Sequence, residues 1–106
     1  MMNYISTRDT SKNPVGVTSA EAIKKGLAPD KGLYMPTEIP TVTPEFFSRL
    51  GALSYEERAT EVLSLFLTDY DKDGLLKDCT EAYSEARFPG GAAPIADIGE
   101  GRYSLE

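Results

Sequence analysis

Apolar positions recur at helical spacing in two neighbouring stretches of the chain. Tyr55, Ala59, Val62, Leu63, Phe66 and Leu67 follow one another at steps of four, three, one, three and one, the repeat of a single helix face. Ser54-x-x-Glu57 stands at the start of this run as a capping box, in which hydroxyl and carboxylate each satisfy a backbone amide of the first turn. After a polar break at Asp69 to Gly74, the residues Leu75, Leu76, Cys79, Ala82, Tyr83 and Ala86 repeat the spacing. This predicts a further helix that ends before Phe88-Pro89-Gly90-Gly91. Two amphipathic helices with so short a connection are expected to pack antiparallel, each covering the other's stripe. Burial of a large apolar side chain contributes roughly 1.5–3 kcal/mol before entropy, so most of the stability is expected in this pair.

The flanking pattern is shorter in period and richer in turn chemistry. Met2 to Ser6 reads as a short strand, with Leu33 to Met35 as its expected partner. Ser11 to Gly16 is a loop. Thr18-Ser19-Ala20-Glu21 is a second capping box, and the helix it opens is expected to run to Lys25 and stop at Gly26 in a left-handed conformation. Pro29, Asp30 and Gly32 supply a turn, and Pro36 ends the following strand. Thr43-Pro44 predicts a helix start with proline at its first position; Phe46, Phe47 and Leu50 form its apolar side and Gly51 closes it. Phe88 to Pro94 is linker-like. Ile95 to Ile98 and Arg102 to Leu105 are expected strands around a Gly99-Glu100-Gly101 turn. The fold class is therefore α+β, a small domain of about four helices with a short two- or three-stranded sheet.

Composition narrows the function classes. A chain of 106 residues fits one domain. Its formal charge of −6 argues against nucleic acid or an anionic membrane as partner, since both would repel it. The longest apolar run falls far short of the roughly 20 residues that span a bilayer, and Met1 to Thr10 lacks the apolar region of a signal peptide, so a cytoplasmic location is expected. The single cysteine, Cys79, excludes an internal disulfide, and the absence of histidine excludes histidine-based triads and metal sites.

Three groups of residues carry candidate chemistry. Asp69, Asp71 and Asp73, followed by Gly74, match the first half of an EF-hand calcium loop. The second half does not match: Lys77 and Thr80 stand where further oxygen ligands belong, and Glu81 falls one residue late. The expectation is a solvated turn in which Asp73 caps the next helix, with calcium binding as the alternative. Ser6, Thr7 and Arg8 place two hydroxyls and a guanidinium at a strand end, a set that binds phosphate or, structurally, ends a strand and pairs with a surface acid. Cys79 lies on the apolar stripe with no histidine to activate it and reads as core. Glu56 and Glu57 suit the positive end of a helix dipole. Lysines 12, 24, 25, 31, 72 and 77 all sit in polar or turn-like surroundings, unlike a Schiff-base lysine.

Four stretches also carry a family resemblance: Tyr4-Ile5-Ser6-Thr7-Arg8, Gly26 to Pro36, Leu53-Ser54-Tyr55-Glu56-Glu57-Arg58-Ala59 and Tyr103-Ser104-Leu105-Glu106. Together they resemble the amino-terminal domain of threonine synthase along essentially the whole chain. Threonine synthases use pyridoxal phosphate to convert O-phospho-L-homoserine and water to L-threonine and phosphate in threonine biosynthesis. The resemblance implies that residues 1–88 are this domain and that residues 89–106 are a linker and first strand leading into a catalytic core. In the family the cofactor lysine follows a His-Gly-Pro-Thr motif just after a segment like Tyr103 to Glu106.

The chain is therefore expected to be part of a longer polypeptide, with the catalytic core of that polypeptide as its partner and a small-molecule substrate bound by the full-length enzyme. It is expected to carry no catalytic, cofactor-binding or metal residues of its own, and to be inactive alone. By the same resemblance Ser6, Thr7, Arg8, Asp30 and Gly32 are candidates for the substrate vicinity or the domain interface; Asp9 and Lys31 stand where relatives often have glycine. Met35, Phe88, Ile95, Ile98 and Leu105 are expected to include side chains meant to bury against the core. A threonine synthase-like phospho-lyase, an interaction module and a calcium module are the alternatives.

Overall fold

The computed structural model describes residues 1–106. Its elements run β1 (Tyr4–Ser6), α1 (Ser19–Lys25), β2 (Tyr34–Pro36), α2 (Pro44–Leu50), α3 (Tyr55–Phe66), α4 (Lys72–Ala82), β3 (Ile95–Gly99) and β4 (Arg102–Leu105). The class is α+β as expected, with four helices and two separate two-stranded antiparallel sheets, β1–β2 and β3–β4.

Helices α3 and α4 pack together as the adjacent periodic stretches predict, but the buried face of α3 is not the expected one. The seam is closed by Leu75 and Cys79 of α4, each 4% exposed, and by Thr60 of α3 at 3%. The Thr60 hydroxyl donates to the Glu56 carbonyl at 2.8 Å, so a polar side chain sits in the seam fully satisfied. The apolar stripe of α3 is only partly covered: Tyr55 is 40% and Val62 41% exposed, while Ala59, Leu63, Phe66 and Leu67 are half-buried. At the end of α4 Tyr83 meets Tyr55 edge-on, ring centroids 5.1 Å apart, so α4 covers this stripe only in part and leaves Val62 open. Helical period fixes that a face is apolar; it does not fix which neighbour covers it.

Helix α4 also begins earlier than the apolar spacing suggests. Asp71, not Asp73, is its cap, the carboxylate accepting from the Gly74 amide at 2.8 Å, and Asp73 lies in the first turn where an anion favours the dipole. The helix ends at Ala82 rather than running on through Ala86: the Tyr83 amide donates to the Cys79 carbonyl at 2.9 Å as the capping bond, and the Ser84 carbonyl then accepts from the Arg87 and Phe88 amides, at 3.0 and 2.9 Å, in a separate turn. Glu61 clips three helices at once, meeting Lys72 of α4 at 2.6 Å and Arg49 of α2 at 3.4 Å. These two cations, Lys72 foremost, hold its carboxyl below the usual glutamate range.

The two capping boxes differ. At α1 both halves form, with the Glu21 amide donating to Thr18 Oγ1 at 3.2 Å and the Thr18 amide donating to Glu21 Oε2 at 3.3 Å. At α3 the Glu57 amide donates to Ser54 Oγ at 3.2 Å, and only this serine half is made. Gly26 ends α1 at φ 76°, a region open to glycine.

Strands β1 and β2 pair as expected with Ile5 opposite Met35, each element displaced slightly from its predicted span: β1 starts at Tyr4, and β2 runs to Pro36, which stands opposite Tyr4 as the last pair. The C-terminal end of α3 anchors this sheet and α1. The Tyr4 hydroxyl donates to the Phe66 carbonyl at 2.8 Å, and the Met2 amide donates to Thr68 Oγ1 at 2.7 Å. Asp69 accepts from the Ser19 amide at 3.1 Å, the Ala20 amide at 3.0 Å and the Ser19 hydroxyl. This carboxylate accepts from two of the amides that the first turn of α1 leaves unpaired.

The β3–β4 hairpin forms around the expected glycine-rich turn. Gly99 pairs with Arg102, leaving Glu100 and Gly101 as the loop, and both have positive φ, 56° and 72°, as a tight type I′ turn requires. A register shift between Asp97 and Gly99 adds a bulge.

Candidate functional site

The five residues singled out from the sequence come together at one corner. Pairing of β1 with β2 carries Ser6, Thr7 and Arg8 onto the loop that holds Asp30 and Gly32. That loop is narrow because the Ala28 amide donates to the Gly32 carbonyl at 3.0 Å and the Lys31 amide to the Ala28 carbonyl at 2.9 Å. Lys31 takes φ 70° to close it, the positive angle that a glycine at this position would adopt at less cost, whereas Asp9 keeps an ordinary backbone.

Ser6, 8% exposed, donates its hydroxyl to Asp30 Oδ1 at 2.6 Å and accepts from the Arg8 amide at 3.1 Å. The same Asp30 oxygen accepts from the Gly32 amide at 2.9 Å. Thr7 Oγ1 accepts from the Leu33 amide at 3.1 Å, and the Arg8 guanidinium donates to the Asp30 carbonyl at 3.1 Å. Gly32 is buried, and a Cβ there would overlap the Ser6 hydroxyl and stand 3.0 Å from Asp30 Oδ1, so this close approach needs glycine. The Ser6 hydroxyl, then the Gly32 amide, hold the Asp30 carboxyl below its ordinary range, with Arg8 adding to them against partial desolvation.

Chemically the cluster is first a brace. The Ser6 hydroxyl and the Gly32 amide are both spent on Asp30 and the Arg8 amide on Ser6, and the Asp30 carboxylate in their midst opposes an anion. Thr7 and Arg8 remain exposed and carry what recognition capacity the corner has.

The aspartates of the half EF-hand match are separated in role. Asp69 is turned to α1, where the Ser19 hydroxyl lowers its carboxyl below the usual range, and Asp71 caps α4. No group of three or more acidic, cysteine or histidine side chains is assembled that could hold a metal ion. Sequence reasoning missed Asp69 as a tether because its partners lie 49 and 50 positions away, where no local spacing marks them.

Pyridoxal phosphate needs a desolvated amine, and all six lysines are exposed. Lys72, the one with a carboxylate partner, is paired with Glu61. These residues do not fit the cofactor's Schiff base.

The open apolar surface is larger than the brace. A groove of about 610 Å³ runs along the stripe of α3, lined among others by Leu50, Tyr55, Val62, Leu63, Tyr83 and Ile95. A second hollow of about 390 Å³ lies at the other end of α3, where Leu67 meets Ile23, Leu33 and Met35. Met35, Phe88, Ile95, Ile98 and Leu105, expected to face a catalytic core, are 49, 41, 68, 57 and 73% exposed. No helix is long and apolar enough to cross a membrane.

These features define a small α+β domain whose polar groups are internally paired and whose apolar surface lies open. The model of the family described as threonine synthase N terminus matches residues 3–83. The chain is 35% identical over 107 aligned positions to threonine synthase of Schizosaccharomyces pombe, covering 99% of this chain and 20% of that protein. It is 35% identical over 91 positions to threonine synthase of Corynebacterium glutamicum, covering 82% and 18%. Over 91 positions it is 34% identical to threonine synthase-like 2 of Rattus norvegicus, covering 81% and 18%. The chain thus spans a fifth or less of the length of these relatives. It belongs to the threonine synthase family, and its matched region is the family's amino-terminal domain.

Proposed function

We propose that this chain serves as the amino-terminal domain of a cytoplasmic threonine synthase, a lyase that uses pyridoxal phosphate to convert O-phospho-L-homoserine and water to L-threonine and phosphate. The observation that carries this reading is the family match over residues 3–83, together with the alignment to the S. pombe enzyme over 99% of the chain. On this reading residues 1–88 form the domain and residues 89–106 lead toward the catalytic core of the same polypeptide, which supplies the cofactor lysine and the substrate site. The chain alone binds no cofactor covalently and turns over nothing, consistent with its exposed lysines. Ser6, Thr7, Arg8, Asp30 and Gly32 brace the domain, and the exposed Thr7 and Arg8 lie on the side that faces substrate or core. Similarity to threonine synthase-like 2, 34% identity over 81% of the chain, favours a second reading, a related phospho-lyase acting on a similar phosphorylated substrate.

The test is to follow the reading frame past Glu106, express the extended protein and assay it with pyridoxal phosphate. Equal yields of threonine and phosphate from O-phospho-L-homoserine are expected. Phosphate without threonine would favour the phospho-lyase, and a frame lacking a lysine that binds the cofactor would overturn both.

A further inference from the structure

The apolar side chains of α3 open onto two separate hollows. Toward the N-terminal half of the helix, Tyr55, Val62 and Leu63 form the floor of the groove whose far wall is Ile95 of the hairpin. Leu67, the C-cap of α3, lines the other hollow with Leu33 and Met35 of the β1–β2 corner. Thr60, turned away from Tyr55 and Val62, is 3% exposed, and Leu75 and Cys79 of α4 are 4% exposed. The apolar band of Tyr55, Val62 and Leu63, left open on a small domain, marks an interaction surface.

We infer that this band of α3, walled by Ile95, is the seat on which the following part of the same polypeptide docks. The inference rests on the reading of the chain as a threonine synthase amino-terminal domain, in which the polypeptide continues past Glu106. Two observations select this occupant over a second copy. The relatives are about five times as long as this chain, so the remaining sequence is large enough to cover the band. The Glu106 amide donates to the Pro94 carbonyl at 2.9 Å, which places the last residue beside Ala93 and Ile95 of the groove wall, so a continuing chain starts at the groove's rim. Docking there needs no long linker, and the free edges of a two-stranded hairpin offer backbone groups to an added strand.

The experiment introduces Val62→Asp and Ile95→Asp, with Val15→Asp as a control outside the band, into both the 106-residue chain and the protein extended along its reading frame. In the 106-residue chain all three variants are expected to unfold at nearly the parent temperature, because Val62 and Ile95 are already 41% and 68% exposed. In the extended protein Val62→Asp and Ile95→Asp are expected to lower the unfolding temperature and admit protease between Phe88 and Pro94, and Val15→Asp to do neither. Equal effects in both proteins, or none in the extended one, would overturn the inference. So would an extended protein whose dimer is dissolved by Val62→Asp while the Phe88 to Pro94 segment stays protected, since a second copy would then fill the groove. Turnover of O-phospho-L-homoserine by the parent extended protein reads the functional proposal separately: its loss with the docking pattern intact sinks that reading alone, and turnover with an open groove sinks this one alone.

Discussion

The two faces of α3 were built to different ends. On one, Thr60 returns its hydroxyl to Glu56 and is shut in by Leu75 and Cys79, so the face is buried, satisfied and complete within the domain. On the other, Tyr55 and Val62 stay about two-fifths exposed although this is the more apolar side. A helix that hides its threonine and shows its valine is not packed for isolated stability. The comparison teaches that an apolar stripe is a statement about eventual burial, and that the burying partner can lie outside the residues in hand.

The largest effect that would break this contrast is at the sealed face. Leu75→Ala should destabilise the chain by about 2–5 kcal/mol through a cavity, while Val62→Ala should stay within about 0.5 kcal/mol. Urea denaturation ranks them directly; comparable losses would mean that the stripe is core after all. Next comes the brace. Gly32→Ala forces a methyl group against Ser6 and should cost about 1–3 kcal/mol, with loss of protection of the Arg8 and Gly32 amides in hydrogen exchange.

A smaller change follows from acid. Asp69, Asp30, Asp9 and Glu61 all have carboxyls held below their ordinary range, chiefly by Ser19, Ser6, Ser11 and Lys72 respectively. The folded chain therefore binds these protons more weakly than the unfolded one. Their contribution is complete above the unfolded values of about 3.9–4.3 and is lost as pH falls through them toward the folded ones. Asp69→Asn should lower stability at neutral pH and flatten that acid decline; an unchanged slope would show that the α1 tether is idle. The smallest contrast is between the two caps. Thr18→Ala, at the complete box, should cost about 1 kcal/mol, and Ser54→Ala, at the half-made one, about 0.5 kcal/mol.

Local signals carried much of this fold in the sequence. Thr18, Thr43 and Ser54 cap the helices they were expected to cap, and Gly99 to Gly101 turns the hairpin, because each rests on residues close in sequence. What was hidden involved distance or competition. Asp69, expected in a solvated turn with calcium binding as the alternative, is claimed by Ser19 and Ala20, and Asp71 takes the cap expected of Asp73 two residues on. The five residues of the candidate corner were legible as a group, but the hydrogen bonds that spend Ser6 and Thr7 on the 28–33 loop depend on strand pairing and were not.

Cys79 supplies the most direct check on the account, since it is the only cysteine and lies in the sealed seam at 4% exposure. The measurement is thiol labelling of Val62→Cys, with Cys79 as the internal reference, in the 106-residue chain and in the extended protein. Cys79 should resist in both, whereas the new thiol should label freely in the short chain and become as resistant as Cys79 once the polypeptide continues. A Val62→Cys thiol that labels equally fast in both proteins would contradict the claim that the open face of α3 is covered by the rest of its own chain.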